Sequence, residues 1–363
     1  MNAESVLKKL GQLSVGEYTL AELNLPLSAK AEGSTLYLKL YKAALSAENR
    51  EYISRQVQEL ATENGFEKIM LEFVEEEPRY FNRIAKVIAI MSGKGGVGKS
   101  TIAGLTAVAL SRAGYKVGLL DADITGPSLP KMFGVSGNPQ GNELGFLPLS
   151  SRTGIRLISI NLLLEDDNSA VIWRGGMISK AISQFWTDVV WGSLDYLVVD
   201  LPPGTSDAPL TVLQQLPISG VIMVYTPQNL AAMIVRKAMG MVDKMGKKII
   251  GMVENMSYVD MPDGRRYRPF GQSDGELASI SGAPLLGVFP LDSEITLMAD
   301  SGNIENFISK EFDSFSQALL SAADSLSTNT LEVKTSLSDD PSGGCTGKSC
   351  HSCAQRESHT SSN

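Results

Sequence analysis

Nine consecutive residues carry the densest chemistry in this chain: Gly93-Lys94-Gly95-Gly96-Val97-Gly98-Lys99-Ser100-Thr101. Gly93, Gly95, Gly96 and Gly98 let the backbone enter conformations closed to other residues, so successive amide hydrogens can converge on phosphate oxygens. Lys99 is spaced to reach the outer phosphates of a nucleoside triphosphate, Ser100 supplies a hydroxyl for Mg²⁺, and Thr101 offers a further donor. The pattern predicts binding of ATP or GTP. A second chemistry lies far away in sequence. All three cysteines, Cys345, Cys350 and Cys353, fall in the last twenty residues together with both histidines, His351 and His359. Thiolates are soft ligands suited to iron-sulfur clusters or Zn²⁺, so soft-metal chemistry is expected there and not in the body. Three thiolates leave a four-ligand site one short; His351, a thiolate from a partner or an exogenous thiol would complete it. Cluster, zinc or other metal, and no metal all stay open at this point, while a structural disulfide is disfavoured in a reducing compartment.

The flanking elements suit the loop. Lys86 to Met91 (KVIAIM) reads as a buried strand and Ser100 to Arg112 as a helix stopped by Gly114. From about residue 84 to 322, apolar strands alternate with helical stretches, predicting an α/β fold with a doubly wound, mostly parallel sheet. Strands are placed at Lys86–Met91, Val117–Asp121, Ile155–Ile160, Tyr196–Asp200, Gly220–Tyr225, Lys248–Val253 and Leu285–Phe289. Ligands in such sheets sit at the carboxyl ends of the strands. Tyr196 to Asp200 is an apolar strand ending in a carboxylate, and Asp200 should hold Mg²⁺ directly or through water. Pro202-Pro203 then stiffens a turn that leaves the Gly204 amide facing the γ-phosphate. Asn255, whose amide both donates and accepts, is the candidate for reading the base.

Three parts follow along the chain. Residues 1–78 read as a small α+β domain, with helices at Glu4–Leu10 and Glu48–Thr62 and alternating strands at Ser34–Lys42 and Phe66–Val74. A linker at 79–84 leads to the ATPase domain at 85–322. From 323 to 363 the composition is rich in Ser, Thr, Asp and Gly, which predicts a disordered, cysteine-bearing tail; about twenty such residues span roughly 25 Å root mean square, enough to bring the thiols near a dimer face. The net charge of −8 over 363 residues argues against a nucleic-acid surface. No apolar run approaches the roughly 20 residues of a membrane span, and the start lacks a secretory core, so no membrane partner and a cytoplasmic location are expected.

Lys94 adds information beyond the generic loop. Lys-Gly-Gly-x-Gly-Lys-Ser resembles the deviant Walker A of the MinD, ParA, nitrogenase iron protein and Mrp group, in which that lysine crosses a dimer interface to the partner's nucleotide. The resemblance implies a homodimer, with Lys94, Lys99 and Asp123 catalytic. Asp121-Ala122-Asp123-Ile124-Thr125-Gly126-Pro127-Ser128 resembles the Mrp switch I, where the second aspartate orients water and arranges Mg²⁺. Asp-Leu-Pro-Pro-Gly-Thr at 200–205 resembles switch II, Thr226-Pro227-Gln228 the Thr-Pro-Gln corner, and Val253-Glu254-Asn255-Met256-Ser257 the Val-Glu-Asn-Met-Ser phrase. Gly287 to Asp292 resembles the segment packed near the base. Together these motifs span about 86–295 and identify the chain as similar to Mrp/ApbC iron-sulfur cluster carrier ATPases. That implies an ATP-hydrolysing carrier of a cluster, [4Fe-4S] in kind, with apo iron-sulfur proteins and cluster-assembly factors as partners. The alternative is a MinD/ParA-like positioning ATPase without a cluster. One departure matters: the family's Cys-x-x-Cys after Asn-Met-Ser is replaced by Tyr258 to Gly264, which holds no cysteine. The first 78 residues resemble the metal-sulfur assembly domain fused ahead of such ATPases, again without its loop cysteine, so a docking or dimerisation module is expected there.

Overall fold

The computed structural model describes residues 3–15, 18–21, 26–42, 45–74, 82–123, 128–139, 141–142, 145–159, 181–182, 184–271, 276–327 and 331–333. Residues 79–81 of the expected linker, residues 124–127 of the switch I resemblance, and Cys345, Cys350 and Cys353 lie outside them.

The expected α/β architecture is the one observed. Strand Asn82–Ser92 lies at the centre of a mixed sheet, flanked in order by Ser193–Asp200, Val117–Asp121, Arg156–Ser159 and the short Leu149–Ser150 on one side. On the other side run Gly220–Tyr225, Ile249–Glu254 and Leu285–Val288. All these pairings are parallel except that of Leu149–Ser150. The seven strands read from the sequence are all present, because a strand covered on both faces is written as a continuous apolar run. Successive side chains of the central strand serve opposite cores. Ile88 and Ile90 pack with helix Lys99–Arg112 and with Phe312, Phe315 and Leu319 of helix Lys310–Asp324. Val87, Ala89 and Met91 pack with Val212 and Leu213 of helix Asp207–Gln215 and Val235 and Val242 of helix Asn229–Lys244. Each buried aliphatic side chain contributes about 1.5–3 kcal/mol, so both layers hold the strand that ends at the glycine loop.

Two boundaries differ from expectation. The central strand starts at Asn82, so residues 82–84 are sheet and not linker. Asn82 is fully buried and satisfied, its Nδ2 donating to Val189 O at 2.7 Å and its Oδ1 accepting from Gly192 N at 3.1 Å. At the other end of the domain, helix Lys310–Asp324 and buried Leu326 carry structure beyond residue 322, and Leu331–Val333 forms a strand antiparallel to the central one. The expectation of disorder from 323 is corrected: strand Gly220–Tyr225 pairs with the central strand only from Ile88 onward, and this short strand pairs with the Asn82–Ile84 stretch that precedes it. Val333 stands opposite Asn82, which is the end of the sheet away from the loop, so the reach of the thiols is counted from there and not from residue 323.

The first part contains helix Ala3–Gly11 and a three-stranded sheet in which Thr35–Tyr41 pairs antiparallel with Pro26–Glu32 and parallel with Lys68–Val74. Helix Ala47–Glu63 makes the crossover, capped by Ser46 accepting from Asn49 N at 3.1 Å. Val6, Leu10, Leu36, Leu38, Ile53 and Val57 form its core, which continues onto Val190. Among the described residues, no helix is long and apolar enough to cross a membrane.

Candidate functional site

The site forms where the central strand ends and helix Lys99–Arg112 begins. Gly98 caps that helix with φ +81°, a left-handed conformation, and an added Cβ would lie 2.1 Å from Asn255 Nδ2. Only glycine meets both conditions. Gly93 is held less closely, since a Cβ there would lie 3.0 Å from the backbone of Ile234. Gly96 takes φ +77° in open space. The loop borders a cavity of about 270 Å³ whose lining includes Lys94, Gly95, Lys99, Ser100, Thr101 and Asp123.

Parallel register sets the carboxylates. Asp200 pairs with Asp121 across neighbouring strands, and with Ile90 of the central strand on its other side, three residues before the loop. Lys99 Nζ donates to Asp200 Oδ1 at 2.5 Å and lies 3.5 Å from Asp123 Oδ2. Ser100 Oγ donates to Asp200 Oδ2. Asp121 and Asp200 are fully buried, and Asp123 and Lys99 nearly so. Two carboxylates thus share one buried ammonium while a third, Asp121, is buried beside Asp200, and the local charge favours either a proton or a further cation. Burial, then the charge of Asp200, pushes the Asp121 carboxyl up to about 7. Asp200 is likewise raised by burial, against the pull of Lys99. A hydroxyl and a carboxylate side by side are the oxygen donors that Mg²⁺ takes while keeping most of its waters and substrate oxygens; the residues present fit that ion.

Asp121 is a site residue that the sequence reading passed over. Its Oδ2 accepts from Ser128 N at 3.2 Å, Leu129 N at 3.3 Å and Ser159 Oγ at 3.3 Å, and its Oδ1 from Asp123 N at 3.2 Å. It therefore ties both ends of the 123–128 segment to the sheet and positions Asp123. The two-residue spacing in Asp-Ala-Asp was the available signal, but only strand register shows which carboxylate faces the loop's base.

Three expectations acquire different geometry. The Gly204 amide is not free: it donates to Ser92 O at 3.1 Å, with φ +90° at Gly204. That bond joins the Pro202–Gly204 turn to the strand just ahead of the glycine loop. Asn255 is buried and its Nδ2 donates to Val97 O at 2.9 Å, so it braces the loop from beneath. Met256 beside it has φ +55°, and the 254–258 segment pairs with the later one through Phe289 N to Glu254 O and Leu291 N to Tyr258 O, at 2.8 and 2.7 Å. Lys94, expected to reach outward, donates from Nζ to Gln228 Oε1 within the same chain. Where a Cys-x-x-Cys was missing, the chain forms a hairpin of Val259–Asp260 with Arg266–Tyr267, closed by Arg266 Nε to Asp260 at 2.9 Å. The Arg266 guanidinium lies 4.1 Å from the Tyr258 ring centroid, and Tyr258 OH donates to Glu311 at 2.9 Å.

Comparison with known proteins places this geometry in context. The family described as ParA, the NUBPL iron-transfer P-loop NTPase, matches residues 83–327. An iron-sulfur cluster carrier protein of Synechocystis is 40% identical over 304 residues, covering 78% of this chain and 85% of that one. One of Clostridium perfringens is 42% identical over 239 residues, 63% of this chain and 84% of its own. Among solved structures, a nucleotide-binding protein of Archaeoglobus fulgidus in complex with ADP is 40% identical, with a TM-score of 0.57 over 63% of this chain and 91% of that one.

Proposed function

The chain belongs to the ParA/NUBPL family of iron-transfer P-loop NTPases, and from that premise we propose that it is a Mg²⁺-dependent ATPase that carries an iron-sulfur cluster and passes it to recipient apoproteins. The observation that carries the ATPase reading is the gathering of Lys99, Ser100 and Asp123 on one cavity beneath a glycine loop, with the buried Asp200 bonded to Lys99 and Ser100 behind it. Relatives named as iron-sulfur cluster carriers support the cargo.

In this reading the loop amides and Lys99 bind the phosphates, and Lys99 exchanges its carboxylate partners for phosphate oxygens. Ser100 and Asp200 would hold Mg²⁺, which would supply positive charge to offset the negative charge of the phosphates. Asp123, kept in place by Asp121, orients the attacking water. The Gly204 amide leaves Ser92 O to face the γ-phosphate, which couples the switch turn to nucleotide state. Asn255 holds the loop floor on one side and stands toward the base on the other. Lys94 acts on the nucleotide of a second protomer, so the working species is a homodimer. The cluster is cargo, held by Cys345, Cys350 and Cys353.

Two measurements on one purified protein test this. Lys94→Ala should lower ATP hydrolysis by a factor of about 10³ or more, as for other trans-acting cations, while ATP affinity changes less than threefold; equal hydrolysis would remove the trans role. After anaerobic reconstitution with iron and sulfide, the triple Cys345, Cys350, Cys353→Ser variant should lose bound iron and its visible absorption. Unchanged iron content in that variant would reject the assignment of cargo to these thiols.

A further inference from the structure

The corner Thr226-Pro227-Gln228 has no part in the ATPase cycle so far. It sits at the carboxyl end of strand Gly220–Tyr225 and leads into helix Asn229–Lys244. Its backbone is pinned by Pro227 and by Gln228 N donating to Thr226 O at 2.7 Å. Gln228 Oε1 accepts from Lys94 Nζ. The same helix touches the loop a second time, because the backbone of Ile234 lies against Gly93, where an added Cβ would be 3.0 Å away. Lys94 is thus seated by an acceptor at the start of that helix, on the cavity that Lys99, Ser100 and Thr101 also line.

Gln228 and a second protomer's phosphates cannot hold the same ammonium in the same way. A neutral amide oxygen is a weaker acceptor for an ammonium than a phosphate oxygen, because the phosphate adds the attraction of opposite charge to a bond that the ammonium already assists. We propose that Gln228 is a positioning residue that parks Lys94 in the unassociated protomer and yields it only to the negative charge of a partner's nucleotide. This rests on the homodimeric ATPase reading. The device keeps Lys94 off its own nucleotide, so hydrolysis waits for assembly. A neutral acceptor suits such a seat, being strong enough to define the lysine's position and weak enough to lose to a triphosphate.

The test uses the full chain and two substitutions. Gln228→Met keeps the length of the side chain and removes the acceptor; Gln228→Glu turns the bond into an ion pair. The first readout needs no ATPase activity: acylation of Lys94 by an N-hydroxysuccinimide acetate in dilute, nucleotide-free protein, followed by peptide mass spectrometry with Lys30 as the internal reference. Lys94 in Gln228→Met should react at least threefold faster than in wild type, and in Gln228→Glu more slowly. The second readout is ATP hydrolysis against protein concentration. Gln228→Met should reach half-maximal specific activity at a several-fold lower concentration. Gln228→Glu should need a several-fold higher one, with the difference shrinking as salt is added. Equal Lys94 acylation in wild type and Gln228→Met overturns the proposal, as does a Gln228→Glu enzyme with unaltered concentration dependence. Should the wild type hydrolyse no ATP, the functional reading fails, while the acylation rates still decide whether Gln228 seats Lys94.

Discussion

Gly98 and Gly96 look alike in a glycine-rich loop but carry different burdens. Both have positive φ, which costs a residue with a Cβ roughly 1–3 kcal/mol. At Gly96 that is the whole cost among the described residues, none of which lies within 4 Å of the added atom. At Gly98 the added Cβ also drives into Asn255 Nδ2 at 2.1 Å and breaks its bond to Val97 O. The floor of the loop is then lost together with its shape. Gly98→Ala should weaken ATP binding at least tenfold more than Gly96→Ala does, measured by calorimetric titration of each variant. Similar affinities for the two would mean that Asn255 does not support the loop.

At the scale of elements, the strand Leu331–Val333 makes a prediction that composition hides. It pairs with Ile84, Arg83 and Asn82, on the side where Gly220–Tyr225 begins its own pairing only at Ile88. A chain ending after Val333 keeps this cover, whereas one ending after Ser327 leaves that part of the sheet edge unpaired. The longer truncation product should melt within about 1 °C of the full chain. The shorter should melt several degrees lower, about 4 °C for each 1 kcal/mol lost at this domain size or less; equal melting temperatures would show that the strand contributes nothing. The sequence could not announce it, because three residues in a polar stretch make no periodic signal. Pro26–Glu32 stayed hidden for a related reason: PLSAKAE alternates only through Leu27 and two small alanines and has no β-branched or aromatic residue, so its signal is weak, and it forms by pairing with the strongly patterned Thr35–Tyr41. By contrast the central strand and the helix after it were legible, since a doubly buried strand, a glycine loop and a stop glycine are all written locally. Site residues divide the same way. Lys99, Ser100 and Asp200 belong to local motifs. The bonds of Gln228 to Lys94 and of Asn255 to Val97 join positions 134 and 158 residues apart, and spacing along the chain cannot reveal them.

Across the whole molecule, the two chemistries leave the sheet at opposite ends. The central strand has 11 residues, about 33 Å of chain, with the phosphate loop following Ser92 and Val333 paired at Asn82. Cys345 is twelve positions after Val333, which allows at most about 42 Å even when fully stretched. Reaching the nucleotide end of its own protomer would take nearly all of that length, and ordering twelve residues costs roughly 1–2 kcal/mol each in backbone entropy. Thiols held near the Asn82 end, or meeting the thiols of a second copy there, avoid that cost. Deleting residues 334–341 separates these cases, because Cys345 then stands four positions from Val333 and reaches about 14 Å at most. The deletion variant should retain iron at the wild-type level after anaerobic reconstitution and hydrolyse ATP at the wild-type rate. Iron lost on this deletion, but kept when eight Gly or Ser residues replace the segment, would mean that the thiols work at the nucleotide end after all. The switch turn held by Gly204 would then act on the cargo directly and not through the body of the sheet.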